Sequence, residues 1–278
     1  MPLKYGKNQV YQKDIAVLKK YTEDYYKITL FRSLRKKGFE LIDGEKSKST
    51  KTKNTVGNDE KLSESISRSR SRIFELALCN DWEFYATLTL NSEYHDRYSL
   101  ETFRKKLTKW LNNYNSKHKT NIKYLLSLER HKDDAYHAHG FFMGIPSEHL
   151  KKFIAKDKLP MKLKKLIQAG HEIYNWTAYA NAFGYTTLEP IRSKEGVAVY
   201  ITKYITKTID SPAVGLNNHL YYCSKGLKRA TEEHRGYLAK DFEPDYKNDY
   251  VAVKVVRSFD DASTYFVDDV SKGDAENE

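Results

Sequence analysis

Residues 200–207 read Tyr-Ile-Thr-Lys-Tyr-Ile-Thr-Lys, a tetrad that occurs twice in succession. Tyr200 and Tyr204 are four residues apart, and a lysine follows each tyrosine after three residues, at Lys203 and Lys207. On a helix, positions three and four apart share a face, so both hydroxyls and both ammonium groups can point into one site. A phenol can act as a covalent nucleophile, and a nearby cation favours its ionised form and the charge that develops on a phosphate.

A second group of residues has the types and spacing of a metal site. His137 and His139 are two residues apart in an alternating segment, so on a strand both imidazoles project from the same face. Glu129, at the end of the preceding predicted strand and on its polar face, is a candidate carboxylate ligand, and Glu189 is a rival. Two imidazoles and an oxygen ligand, with open positions, suit Mn²⁺ or Mg²⁺ that binds a phosphate.

Each pattern also has a simpler interpretation. The two histidines can be a surface pair or a hydrogen-bonded pair, and Glu129 can be an ordinary carboxylate at a strand end. The tetrads can form a basic amphipathic helix in which tyrosines pack and lysines are solvated. The three patterns together, in this order along one sheet, favour a joint catalytic site.

Hydrophobic periodicity predicts the elements that would position these groups. Residues 83–90, 122–129, 136–145 and 185–189 are predicted strands, each with one apolar and one polar face. After the first strand, Ser99 is a predicted N-cap for a helix with an apolar stripe.

A lysine-rich segment, residues 147–170, is predicted to be helical with an interruption near Pro160. The order is then strand, helix, strand, strand, helix, strand and finally the helix with the tetrads. This order predicts an α+β fold with a central antiparallel sheet of ferredoxin-like or RNA-recognition-motif-like (split β-α-β) topology. Helices would cover the apolar face, and the nucleophile helix would lie over the open polar face.

The charge of the chain is strongly basic and unevenly distributed. There are 48 basic and 37 acidic side chains, a formal net charge of +11. Seven acids and one lysine follow Arg257, a net charge of −6, so residues 1–257 carry +17. Together with 22 tyrosines, this excess favours nucleic acid as the partner, although a basic surface can also serve only solubility.

Several classes of protein are disfavoured. Two cysteines are too few for a disulfide framework or a zinc site. No apolar run approaches the length of a membrane span, and the N-terminal residues lack the apolar core of a signal peptide. We therefore expect a cytoplasmic protein with no membrane partner.

Composition predicts four segments along the chain. Residues 1–43 form a small basic N-terminal segment, and residues 44–66, rich in Lys, Ser, Thr and Asn, form a flexible linker. Residues 67–258 hold the catalytic domain with a C-terminal extension. Residues 259–278 form an acidic tail that is predicted to be disordered.

Three ordered motifs resemble those of HUH endonucleases, the tyrosine-dependent initiators of rolling-circle replication. They are Phe-Tyr-Ala-Thr-Leu-Thr-Leu at 84–90, His-Ala-His at 137–139, and Val-Ala-Val-Tyr-Ile-Thr-Lys-Tyr-Ile-Thr-Lys at 197–207. The two-tyrosine form resembles initiators of single-stranded-DNA phages and related plasmids. Residues 69–80 and 221–230 also resemble replication-associated proteins of phages and mobile elements, related to the filamentous-phage replication endonuclease.

The resemblance implies metal-dependent nicking and rejoining of single-stranded or extruded origin DNA through a 5′-phosphotyrosine, with the free 3′-hydroxyl extended by a host DNA polymerase. Because the chain has no Gly-rich Lys-Ser/Thr phosphate loop, a helicase would come from the host. Whether one or both tyrosines act is left open. The implied metal ligands are His137, His139 and Glu129, and the implied nucleophiles and accompanying lysines are Tyr200, Tyr204, Lys203 and Lys207.

Basic residues Lys225, Lys228 and Arg229 are candidate contacts to the DNA backbone. Other interpretations remain at this stage. A mobilisation relaxase or a transposase would use the same chemistry. A non-catalytic nucleic-acid-binding sheet would display stacking aromatics on its open face, and a metal nuclease that activates water would leave no protein–DNA adduct.

Overall fold

The computed structural model of the chain describes residues 10–12, 14–32, 35–38, 58–130, 135–193, 196–197, 200 and 221–266. The chain divides into two compact units. The central unit comprises Thr55–Lys228, and the discontinuous unit comprises Met1–Asn54 together with Arg229–Glu278.

The discontinuous unit holds the first and the last elements of the chain, and the central unit holds those between them. In order, the elements are β1 (Val10–Gln12), β2 (Ile15–Thr22), β3 (Tyr25–Phe31), β4 (Arg35–Gly38), α1 (Asn58–Leu78), β5 (Phe84–Thr89), α2 (Leu100–His118), β6 (Lys123–Arg130), β7 (Tyr136–Met143), a 3-10 turn (Ser147–His149), β8 (Leu150–Lys152), α3 (Met161–Gln168), β9 (Tyr174–Trp176), α4 (Thr177–Ala182), β10 (Thr186–Pro190), β11 (Tyr221–Cys223), β12 (Thr231–Gly236), β13 (Tyr246–Lys247), β14 (Val251–Val256) and α5 (Phe259–Ser263).

The strands of the central unit form a seven-stranded sheet in the order β11-β6-β7-β5-β10-β9-β8. Neighbouring strands pair in antiparallel fashion. β7 lies between β5 and β6, and α2 connects these two flanking strands along the chain. The predicted α+β class is therefore confirmed.

Helix α2 covers the apolar face of this sheet. It begins after Ser99, whose side-chain oxygen accepts a hydrogen bond from the backbone N–H of Thr102 and so caps the helix, as predicted. Leu107 and Leu111, on one helix face, are buried against a core that includes Phe142 of β7. Burial of this stripe holds the sheet with its polar side chains on the opposite face.

Helix α1 packs on that opposite face. Ile73 and Leu76 of α1 are buried against Leu125 and Phe141 of the sheet. Leu125 and Phe141 lie on the sheet face that was predicted to be open. There they take the place of polar residues in the alternation at one end of β6 and β7. One end of this face therefore carries a second apolar core.

The lysine-rich segment at 147–170 differs from its predicted helical structure. It contains the short strand β8 and only one helix, α3, which begins immediately after Pro160. Proline has no N–H to donate and suits the start of a helix, so the helix begins there. Within the described ranges, no helix combines the length and apolar composition needed to cross a membrane.

The discontinuous unit has its own sheet. Five strands pair in the order β12-β2-β3-β14-β13, while β1 and β4 form a separate two-stranded antiparallel ribbon. Leu18, Ile28 and Val256 form a core with Ala262 of α5 and the following Phe266.

This division differs from the predicted segment boundaries. Residues 58–66 belong to α1 rather than to a linker. Strands β12 and β14, predicted as part of the catalytic domain with its C-terminal extension, pair with β2 and β3 of the N-terminal segment. Residues 259–263, predicted as part of a disordered tail, form α5, which is capped by Ser258. Strand patterns mark which residues alternate, but they do not identify the partner strand when that partner is about 200 residues away.

Candidate active site

The two histidines of β7 project from one face of the central sheet. His137 and His139 are half-buried, while Ala138 between them is fully buried on the α2 side. The two imidazole rings are nearly parallel, with 17° between their planes and 6.5 Å between their centroids. The alternation of the strand therefore produces the predicted pair.

Strand β6 adds a carboxylate to this pair. Glu129 lies directly opposite His137, and its Oε2 atom is 3.3 Å from Nε2 of His139. The rival ligand, Glu189, lies opposite Tyr85 in β10, and β5 separates β10 from β7. The register therefore brings Glu129, and not Glu189, beside the histidines.

Strand β5 supplies hydroxyl groups to both imidazoles. The Oγ1 atom of Thr89 is 3.1 Å from Nδ1 of His137. The Oγ1 atom of Thr87 and the hydroxyl of Tyr85 are 3.2 Å and 3.1 Å from Nδ1 of His139. A hydroxyl that accepts the Nδ1 proton leaves the Nε2 lone pair for a ligand, as the outer partners of metal-binding histidines do.

These three hydroxyls had no role among the predicted site residues. Tyr85, Thr87 and Thr89 alternate along the strand predicted at residues 83–90, and that alternation is the signal that could have identified them. The sequence did not give the register between β5 and β7. This register sets Thr87 opposite His139 and Thr89 opposite His137.

Tyr200, the first tyrosine of the tetrads, lies on the same sheet face. Its backbone is helical, and its half-buried ring contacts Tyr85 and packs edge-on against Phe141 at 6.1 Å. The hydroxyl of Tyr85 in turn reaches His139. Tyr85 therefore connects the proposed nucleophile to the histidine pair.

The remaining residues of the tetrads, Lys203, Tyr204 and Lys207, lie outside the described residues. Their roles stay predictions from the sequence.

The three candidate DNA-contact residues lie near the end of β11 and after it. Lys225 and Arg229 are exposed. The backbone of Lys228 is held by Asn80, which accepts from its N–H at 2.8 Å and donates to its carbonyl at 3.0 Å. The Lys228 ammonium is 3.2 Å from a carboxylate oxygen of Asp81, so a DNA phosphate would compete with this ion pair.

Two imidazoles and a carboxylate form a donor set of the type that binds Mn²⁺ or Mg²⁺. Among the residues that the structure describes, no three His, Cys, Asp or Glu side chains are already gathered into a metal cage. Imidazole nitrogens lie about 2.1 Å from a bound ion. Two rings whose centroids are 6.5 Å apart must therefore turn towards each other to bind the same ion. The residue types and their adjacent strands fit such an ion.

Comparison with known proteins identifies one family. Residues 83–209 match the family described as replication-associated protein ORF2/G2P. This range begins just before β5 and includes the histidine pair, Glu129 and both tetrads. No curated protein and no solved structure matches the chain. The resemblance to phage and rolling-circle replication proteins is therefore confirmed over this range.

Proposed function

Because residues 83–209 match the replication-associated protein ORF2/G2P family, we propose that this protein initiates rolling-circle replication by nicking and rejoining one DNA strand through a tyrosine. The observation that carries the proposal is the placement of Tyr200, His139 and Glu129 on one sheet face. The proposed setting is the cytoplasm of a bacterial host. There the host helicase and DNA polymerase would act on the nicked origin.

Tyr200 is the proposed nucleophile. Its phenolic oxygen bonds to the scissile phosphorus while the bond from phosphorus to the 3′-oxygen breaks. The phenol loses its proton, and the released 3′-oxygen gains one. The products are a 5′-phosphotyrosine and a 3′-hydroxyl that a polymerase can extend. Because the phosphoester is conserved in the adduct, attack by a 3′-hydroxyl reverses the reaction and rejoins the strand.

His137, His139 and Glu129 would hold a divalent cation, Mn²⁺ or Mg²⁺, which when bound supplies Lewis-acid polarisation of the scissile phosphate. The Tyr85 and Thr87 hydroxyls fix the orientation of the His139 ring in advance. By sequence position, Lys203 and Lys207 would hold the phosphate, and Tyr204 would permit a second transfer.

The hydroxyl contacts lead to a test of the metal site. Thr87→Val retains the shape of the side chain but removes one of the two hydroxyl partners of His139, so we expect roughly 10-fold weaker Mn²⁺ binding, measured by calorimetric titration. Thr187→Val is the matched control, because Thr187 lies opposite Thr87 on β10 and strand β5 separates it from the imidazoles. Equal affinities for wild type and Thr87→Val would contradict the role of this hydroxyl.

One incubation tests the proposed reaction. Labelled single-stranded fragments that tile the element's own DNA are incubated with the protein and Mn²⁺, and the products are separated on a denaturing protein gel. We expect a fragment that carries the origin to become covalently attached to the protein. Cleavage without an adduct would indicate a nuclease that uses water, and binding without cleavage would indicate a non-catalytic DNA-binding protein. A nick at a transfer origin or a transposon end would instead indicate a relaxase or a transposase.

A further inference from the structure

Residues 150–168, here called the lysine arm, form the most basic stretch of the central unit that the proposed reaction does not use. They contain seven lysines and one acid, Asp157, a formal net charge of +6. The arm comprises β8, a loop and α3. Like charges at this density repel one another, so the arm is a surface suited to a polyanion.

The lysines of the arm are directed to solvent. Helix α3 buries none of its residues, and Lys156, Lys158, Lys162 and Lys165 are exposed. Lys152 forms an ion pair with Glu172. For the other six lysines of the arm, the described part of the chain provides no carboxylate within ion-pair distance. The described residues therefore leave most of the arm's charge without an acidic partner.

The arm begins at an edge of the sheet that carries the histidines. Lys151 of β8 lies opposite Asn175 of β9. Tyr174 pairs with Leu188 and packs on the α2 side, so the alternation places Asn175 and Lys151 on the face of His139. β8 is four strand spacings from β7, roughly 19 Å across the sheet.

The ring of Tyr185 connects the histidine face to the arm. The N–H of Thr89 donates to the carbonyl of Tyr185 at 2.9 Å, and Thr89 is also directly opposite His137. Tyr185 is 38% exposed, and its ring stacks on that of Phe153 in the arm, with centroids 6.1 Å apart and 26° between planes. An exposed, supported ring of this kind is a platform on which a nucleic-acid base can stack.

We propose that the lysine arm and Tyr185 bind the single-stranded DNA that flanks the scissile phosphate, with the arm's lysines on successive phosphates and a base on the Tyr185 ring. The inference rests on the proposed nicking function for the identity of the strand. Its own support is the order of groups across the sheet: the imidazoles of β7, then the Tyr185 ring, then Lys151 on the edge strand where the arm begins. Single-stranded DNA is favoured over a protein partner because six unneutralised lysines and a stacking ring match phosphates and bases.

The electrostatic part is tested with the variant Lys156→Gln/Lys162→Gln/Lys165→Gln in the full chain. Binding of a fluorescein-labelled single-stranded oligonucleotide of mixed sequence is followed by anisotropy over a range of NaCl concentrations, without divalent metal. Each lost phosphate contact lowers the slope of log affinity against log salt by about 0.7. We expect a slope smaller by roughly 2 and affinity at low salt weaker by at least about tenfold.

The matched control removes the same charge from helix α2, which covers the apolar face of the sheet. Lys106→Gln/Lys109→Gln/Lys117→Gln changes three exposed lysines of α2. We expect this control to retain most of the wild-type slope. Equal slopes for the two triple variants would overturn the arm's assignment. If the arm variant lost replication of the element in cells but bound DNA like wild type, the arm would be reassigned to a protein partner.

The stacking part is tested separately at the platform. Tyr185→Ala should weaken binding of the same oligonucleotide by roughly tenfold, whereas Tyr185→Phe, which keeps the ring, should bind within about twofold of wild type. Equal binding by Tyr185→Ala and wild type would remove the platform from the proposal. These binding measurements do not depend on cleavage. If neither the wild type nor any variant forms an adduct, but the salt-dependence slopes of the two triple variants differ as expected, the nicking function is refuted and the DNA-binding role of the arm is retained.

Discussion

Tyr200→Phe is expected to lower the rate of covalent capture of an origin oligonucleotide by more than about 10³-fold, as loss of a catalytic nucleophile does. The change removes the single oxygen that would bond to phosphorus and keeps the ring that packs on Tyr85 and Phe141. The free energy of unfolding should therefore change little. The adduct is measured with labelled DNA and Mn²⁺ on a denaturing gel, and stability by urea titration.

Two variants make this result specific. Tyr221→Phe is the matched control, because Tyr221 packs in the same apolar cluster and lies opposite Ser127, yet has no proposed role in the reaction. It should form adduct at the wild-type rate. The double variant Tyr200→Phe/Tyr204→Phe separates one nucleophile from two. An adduct that persists in the single variant and disappears in the double variant would assign the first cleavage to Tyr204, and an adduct in the double variant would refute both tyrosines.

The second large effect is expected for the metal ligands. His139→Ala should lower the rate of Mn²⁺-dependent cleavage by more than roughly 10²-fold, because it removes one ligand and the contact of Glu129 with the site. Affinity for single-stranded DNA should remain near that of wild type, since the phosphate contacts proposed for the lysine arm are unchanged. Cleavage rates are measured as a function of Mn²⁺ concentration, and binding by anisotropy.

The exposed His171, outside the site, is the matched control for this loss of an imidazole. His171→Ala should retain the wild-type dependence on Mn²⁺. A loss of DNA binding and of unfolding free energy together in His139→Ala would indicate that His139 serves the fold, not the chemistry. An unchanged cleavage rate would remove His139 from the metal site.

Local patterns were sufficient for the elements that surround the site. The period-two alternation around Ala138 correctly placed His137 and His139 on one face, and the cap at Ser99 correctly placed the start of α2. These features depend on residues close in sequence, so their physical basis is present in the chain itself. The metal chemistry and the nucleophile remain proposals that the experiments above test.

Long-range pairing could not be predicted from the same patterns. The alternation of β10 kept Glu189 as a rival to the predicted ligand Glu129, and only the order of strands placed β5 between Glu189 and the histidines. Similarly, β14 reads as a strand that could extend any sheet, and its pairing with β3 depends on burial of Val256 against Ile28. Such choices depend on the energy of packing between distant segments.

By itself, the sequence determined which residues carry the groups of the proposed nicking reaction, because the doubled tetrads and the spacing of the histidines are local properties. Only the tertiary structure decided which of them meet. Strand register brought Glu129 to 3.3 Å from His139 and set the Thr87 and Thr89 hydroxyls behind the imidazoles. Apolar packing against Tyr85 and Phe141 placed Tyr200 on that face, because contacts between distant strands are determined by burial of both partners and not by either segment alone.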